Sequence, residues 1–239
     1  MAEQIVSDGQ LWLNEYNISS DLNTIVLNIS SGIQENTTFG DAYIKRLAGL
    51  KTAAISMEGY FEGTPDGELS SSIATTNGVI TVTGQDATQG DICYMMQPAV
   101  SEYSPGAAVG EMFSFSVNAE ANGETIRGEI SHNGTETTTG NGTGTQLGAI
   151  SASQYLYATL HVTAASGTSP TLDVTIESDD NSGFTSATTR GTFTQATGVT
   201  SQWLTPVAGA ITDDYWRAVY TIGGSGPSFT FVVSIGIGE

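Results

Sequence analysis

Apolar residues in this chain recur at every second position, and nowhere do they recur strongly at helical spacing. Ile25, Leu27 and Ile29 alternate with polar residues, and Ile55, Met57 and Phe61 do the same. Phe113, Phe115 and Val117 repeat the pattern, followed by Leu156, Ala158, Leu160 and Val162. A period of two buries one face of a strand and leaves the other in water, so these segments are expected to form sheets. Gly, Ser, Thr and Asn are abundant between them and Pro is sparse, the turn-rich composition of an all-β chain. At 239 residues the chain can fold as one large β domain or two smaller ones.

The stretch Asp21–Glu62 reads as a strand, a long excursion and a second strand. About two dozen residues lack a period between the strands, and loops of that length are usually functional or disordered. Lys45, Arg46 and Lys51 lie there, half of the six basic residues in a chain with 25 acids. A basic arm on an acidic body suggests a chain that binds copies of itself.

The formal charge of −19 argues against a protein that grips phosphate backbones, since such proteins cluster Lys and Arg. It is compatible with one that repels nucleic acid. Cys93 is the single cysteine and lies in the apolar run Ile92–Met96. That excludes an internal disulfide framework and a zinc cluster, and marks Cys93 as a small core residue. The first ten residues lack the basic and apolar segments of a signal peptide. No run reaches the length of a membrane-spanning helix, so a soluble chain made in a cytoplasm without export is expected.

Further strands are predicted over Leu11–Ile18, Val79–Thr83, Ile92–Met96, Tyr155–Thr163 and Leu172–Ile176. Short helices fit only at Ala42–Leu50 and Leu69–Thr75. Met112–Asn118 and Thr125–Ile130 read as a hairpin across Ala121–Gly123, and Tyr215–Ile222 with Phe229–Ile235 as another across Gly223–Pro227. His132–Gly148 has almost no apolar side chain and reads as an exposed Gly/Thr-rich linker. The expected organisation is a first β domain over 1–131, the linker over 132–148, and a second β domain over 149–239. The second is either a repeat of the first or a decoration.

No catalytic constellation can be assembled. His132 and His161 lack metal-ligand spacing, and no G-x-S-x-G motif occurs. His161 is read as a strand-surface residue. Asp179, Asp180 and Asn181 form an oxygen-rich turn of a kind that can hold calcium. Their spacing departs from the twelve-residue calcium loop, however, and Asp-Asn-Ser-Gly is ordinary turn chemistry. No cofactor and no enzymatic activity are expected.

The segments DLNTIVLNIS, TTFGD at Thr37–Asp41, KRLAGLK at Lys45–Lys51 and AAISMEGYFE resemble the major tail proteins of long-tailed bacteriophages. Weaker echoes follow in GEMFSFSV, TLDVTIESDDNSGF and DDYWRAVYTI. The resemblance implies a tail-tube-like β-sandwich or barrel whose copies form rings, stacked into a hollow virion tail that DNA traverses. It implies that Ser30–Lys51 reaches a neighbouring subunit or ring, disordered in the free subunit and ordered on assembly. Contacts would come from Thr37, Thr38, Phe39, Asp41, Lys45, Arg46 and Lys51, with Phe39 either an apolar anchor or folded back on its own sandwich. Tape-measure and tail-tip proteins would be further partners, and Glu58 and Glu129 would face the lumen. Rings could hold six single-domain chains or three duplicated ones.

A rival reading is a carbohydrate-binding module or adhesin. It rests on an aromatic β surface formed by Tyr155, Tyr157, Trp203, Tyr215 and Trp216.

Overall fold

In the computed structural model, residues 8–60, 63–73, 75–76 and 78–239 are described. Strands β1 (Gln10–Leu13), β2 (Tyr16–Asn17), β3 (Leu22–Glu35) and β4 (Arg46–Tyr60) come first, then helix α1 (Gly63–Ser72). Next are β5 (Ile80–Thr83), β6 (Ile92–Met96), β7 (Pro98–Gly106), β8 (Ser114–Ala121) and β9 (Ile126–Glu136). The remainder gives β10 (Gly140–Asn141), β11 (Thr145–Gln146), β12 (Tyr155–Asp179), β13 (Thr188–Thr192), β14 (Thr200–Trp203), β15 (Val207–Ala208) and β16 (Tyr215–Gly238). The protein is all-β, with one α-helix and one 3-10 turn at Ser19–Asp21 among the described residues.

These elements form two compact units whose sequences interleave. The arm-bearing unit comprises Asp21–Thr76 and Gln97–Thr125, and the larger unit takes the chain up to Ser20, a middle segment ending at Met96, and Ile126–Glu239. The expected division at 132–148 is therefore corrected. Strand β9 runs through it to Glu136, and β10 and β11 each pair with β16. A stretch poor in apolar side chains can still satisfy its backbone in a ladder, because pairing needs amides and carbonyls rather than side chains.

The larger unit is organised by β12 and β16, which pair antiparallel from Tyr155↔Gly238 to Asp179↔Tyr215. Register shifts between Val162 and Thr171 mark a corner in this ribbon. Gly167 and Gly226 adopt positive φ there, and a Cβ on Gly167 would stand 2.7 Å from the Gly226 carbonyl oxygen. Beyond the corner the ribbon folds over itself, so Leu156, Leu160 and Val162 share one core with Leu172, Val174 and Ile176. The predicted hairpin across Gly223–Pro227 is thus one continuous, bulged strand.

From β16 the sheet continues through β9, β6, β5, β1 and β2. Thr81 of β5 meets Thr159 of β12 at 2.9 Å, so the sheet rolls back over the second face of β12. A second core forms between them from Trp12, Cys93, Met95, Ile126, Ile130, Tyr157 and Val232. Cys93 is buried there, as its apolar surroundings in the sequence indicate.

The arm-bearing unit is a four-stranded antiparallel sheet in the order β3-β4-β8-β7. Ala53, Ile55, Met57, Phe115, Val117 and Ala119 are buried along one face by strict alternation. Helix α1 lies on that face. Its Leu69 is buried, and the Tyr103 hydroxyl of β7 donates to the Asp66 carboxylate at 2.7 Å. The predicted hairpin between Met112–Asn118 and Thr125–Ile130 does not form. Strand β8 pairs with β4 and β7, while β9 pairs with β6 and β16 in the other unit.

Candidate assembly surface

Strands β3 and β4 pair from Leu22↔Gly59 to Glu35↔Arg46 and project as a two-stranded arm. The expected irregular loop over Ser30–Lys51 is therefore mostly ladder, and the helix considered at Ala42–Leu50 is absent. Its lack of hydrophobic period has a physical cause: both faces of the arm are exposed, so neither face needs to be apolar. A bulge between Ser31 and Ile33 breaks the register where Gly32 and Gly49 approach closely.

The tip is ordered by its own polar groups. Asp41 accepts from the Thr38 amide at 2.9 Å and from the Thr38 hydroxyl at 3.0 Å, and the Lys45 amide donates to Thr37 Oγ1 at 3.0 Å. Lys45 forms an ion pair with Asp41. That ammonium group, with the Thr38 amide, holds the Asp41 carboxyl below the usual carboxylate range. TTFGD thus acts first as a turn. The Arg46 guanidinium has no ion-pair or hydrogen-bond partner among the described residues.

Around these polar groups the arm exposes large apolar side chains. Phe39 is 114% exposed and Leu50 91% exposed, so neither folds back on the sheet. Tyr43, Ile44, Leu47 and Ile33 are also exposed. At the opposite end of the same sheet, the turn between β7 and β8 exposes Val109, Met112 and Phe113. Exposed apolar clusters of this kind usually mark contact surfaces. Sequence reasoning misses Leu47 and Leu50, whose signal is apolar residues lying outside any alternating run, and the second turn, whose Met112 and Phe113 read as the start of a strand.

The face opposite α1 has a different character. Thr24, Glu58, Ser116 and Ser104 lie side by side across the four strands, and Val26, Ser56, Asn118 and Glu102 form the next row. Glu120 stands opposite Ala54 and Ala99. Every Lys and Arg of this unit, namely Lys45, Arg46 and Lys51, belongs to the arm instead. Among the described residues the outer edge of β3 is open, and the outer edge of β7 is met by an isolated bridge from Ile73 to Val100.

The remaining sequence candidates separate. Glu129 belongs to the larger unit, on β9 between Ile92 and Ile235. Burial pushes its carboxyl upward, against a hydrogen bond from Thr145 and the charge of Arg127. It does not share a sheet with Glu58. Asp179 accepts from the amides of Asn181 at 3.1 Å and Ser186 at 2.8 Å, so its oxygens organise the turn. Asp180 and Asn181 are exposed beside it. Among the described residues, no group of three or more His, Cys, Asp or Glu is placed to hold a metal ion. No helix among them is long and apolar enough to cross a membrane.

The aromatic surface expected on the second half is dispersed. Trp216 is buried with its indole N–H donating to the Gly148 carbonyl at 2.9 Å, and Tyr157 is buried against Trp203. His161 is fully buried rather than on the strand surface, because the rolled sheet covers both faces of β12.

No family model matches this chain, and no curated protein sequence does. Solved structures resemble its backbone. A chain of a gene transfer agent virion is 12% identical, over 52% of this chain and 97% of that one, with a TM-score of 0.42. A chain from the tail of an empty gene transfer agent particle with C6 symmetry is 12% identical, over 44% and 80%, at 0.37. The SPP1 Dit protein, described as a hub adsorption apparatus of phages infecting Gram-positive hosts, is 9% identical over 97% and 99%, at 0.36.

Proposed function

We propose that this chain is a structural subunit of a phage tail that assembles with copies of itself through the β3–β4 arm. The observation that carries this reading is the segregation of side chains in the arm-bearing unit. The unit's basic groups and a set of exposed apolar side chains are collected on a projecting arm, while the face opposite α1 holds mainly carboxylates, hydroxyls and amides. A solitary globular protein has no use for exposed Phe39, Leu50 and Ile33 on one projection. The sequence resemblance of Asp21–Glu62 to tail tube subunits points the same way.

The finer reading is a tube wall. Copies would join side by side, the open β3 edge of one toward the β7 edge of the next, removing edges that otherwise invite uncontrolled pairing. Glu102 and Glu120 would then line a lumen along which duplex DNA slides, because carboxylates repel phosphates and no Lys or Arg lies beside them to hold the DNA. The described residues hold one arm-bearing sheet, which favours rings of six chains over three duplicated ones. Electron microscopy of the purified full chain at high concentration tests this. Rings or hollow stacks are the expected result, and dispersed monomers at every concentration would overturn it.

A further inference from the structure

We infer that the arm of one copy seats in a cleft at the far end of the next copy's four-stranded sheet, with Arg46 of the first against Glu58 of the second. This deepens the assembly reading above and rests on it. The cleft has a volume of about 420 Å³ and is bounded by Asn23, Glu58, Tyr60, Ser104, Ser114 and Ser116. It offers one carboxylate, three serine hydroxyls and a phenol, and no cation.

Arg46 supplies the complement, since its guanidinium is unpartnered among the described residues of its own chain. A planar guanidinium can bind a carboxylate in two-point fashion and spend its remaining N–H groups on hydroxyls, as this cleft allows. The surroundings match as well. The β7–β8 turn beside the cleft exposes Met112 and Phe113 with Glu111, and the arm exposes Leu47 and Leu50 with Lys45.

Geometry excludes the same pairing within one molecule. Arg46 and Glu58 lie at opposite ends of β4, about a dozen residues apart, which is roughly 40 Å along a strand. The contact therefore joins unlike ends of neighbouring copies. Where the rotation between copies does not close a ring, such head-to-tail contacts repeat as a polar stack, whose axial repeat here is at most on the order of 40 Å plus the reach of the two side chains.

Charge exchange tests the pairing. Full-length Arg46→Glu, Glu58→Arg and the double variant are compared with the wild type by sedimentation velocity and electron microscopy. Both positions are exposed, so equal thermal midpoints serve as the check on folding. Each single variant is expected to raise the concentration needed for stacking about tenfold or more, and the double variant to restore it to within about threefold. Single variants that stack like the wild type, or a double variant as impaired as the singles, would overturn the seat while leaving self-assembly standing. A wild type that never associates would overturn both.

Discussion

The Nε2 atom of His161 lies 2.8 Å from the Thr81 hydroxyl, tying β12 to β5 across the second core of the larger unit. The other ring nitrogen, Nδ1, is 2.6 Å from the Asn14 carbonyl oxygen. A carbonyl only accepts, so Nδ1 carries the proton, Nε2 accepts from Thr81, and Thr159 donates in turn to Thr81 at 2.9 Å. The imidazole is completely buried, and burial favours its neutral form even though the bond to the Asn14 carbonyl works the other way.

Acid should therefore loosen the larger unit through His161. Burial pushes its pKa down to about 4 from the usual 6.5. A group whose pKa is depressed on folding binds fewer protons folded than unfolded between those values. Its contribution is thus full above pH 6.5 and is lost as pH falls toward 4, by an amount on the order of 3 kcal/mol. Thermal melts from pH 7.5 to 4.5 should show a falling midpoint, and His161→Gln should melt lower at neutral pH but with a shallower slope. An unchanged slope in that variant would assign the acid sensitivity to other groups.

His132 makes the opposite prediction. It is buried between Phe231, stacked at 4.3 Å, and Tyr220 at 4.9 Å, and neither ring nitrogen has a hydrogen-bond partner among the described residues. Its nearest charge is Glu136, at 3.9 Å. Burial lowers the His132 pKa while Glu136 works against that shift. An aromatic ring without polar atoms suits this site better, so His132→Phe is expected to raise stability by about 1 kcal/mol or more. A chemical denaturation curve measures it, and a loss of stability would mean that the imidazole is bonded through water.

Within the arm-bearing unit, Gly59 is fixed by space. A Cβ there would stand 2.0 Å from the Asp21 carbonyl oxygen and 2.9 Å from the Phe115 ring. The backbone must move to admit it, so Gly59→Ala is expected to cost about 2 kcal/mol or more. The same substitution at Gly67, where a Cβ meets nothing within 4 Å, should be tolerated. Comparing the two by limited proteolysis distinguishes local crowding from a general effect of losing glycine.

How much of this was legible depends on whether the signal was local. Ile92–Met96 reads as a strand with its observed bounds, and Val79–Thr83 to within one residue, because each is a short apolar segment beside a turn. Alternation tells which face a residue takes but not which strand lies alongside. Hence Met112–Asn118 and Thr125–Ile130 were both found as strands and wrongly paired with each other. His161 reads as a surface residue only if β12 has one buried face, whereas the sheet buries both. The basic arm residues were visible as a charge anomaly, whereas Glu58 as part of a cleft needed Ser104 and Ser116 from distant strands.

The arm itself should separate folding from assembly. Phe39 and Leu50 are almost wholly exposed and bury nothing within the chain, so changing both to Ser removes no core contact. Phe39→Ser with Leu50→Ser is expected to leave unfolding free energy within about 0.5 kcal/mol of the wild type. If the arm is the contact surface, the same variant loses apolar area on association and should stay monomeric where the wild type forms oligomers. Light scattering read alongside a thermal melt on the same samples makes the comparison. A lowered melting point with association intact would show that these side chains serve the fold of the unit rather than its union with another copy.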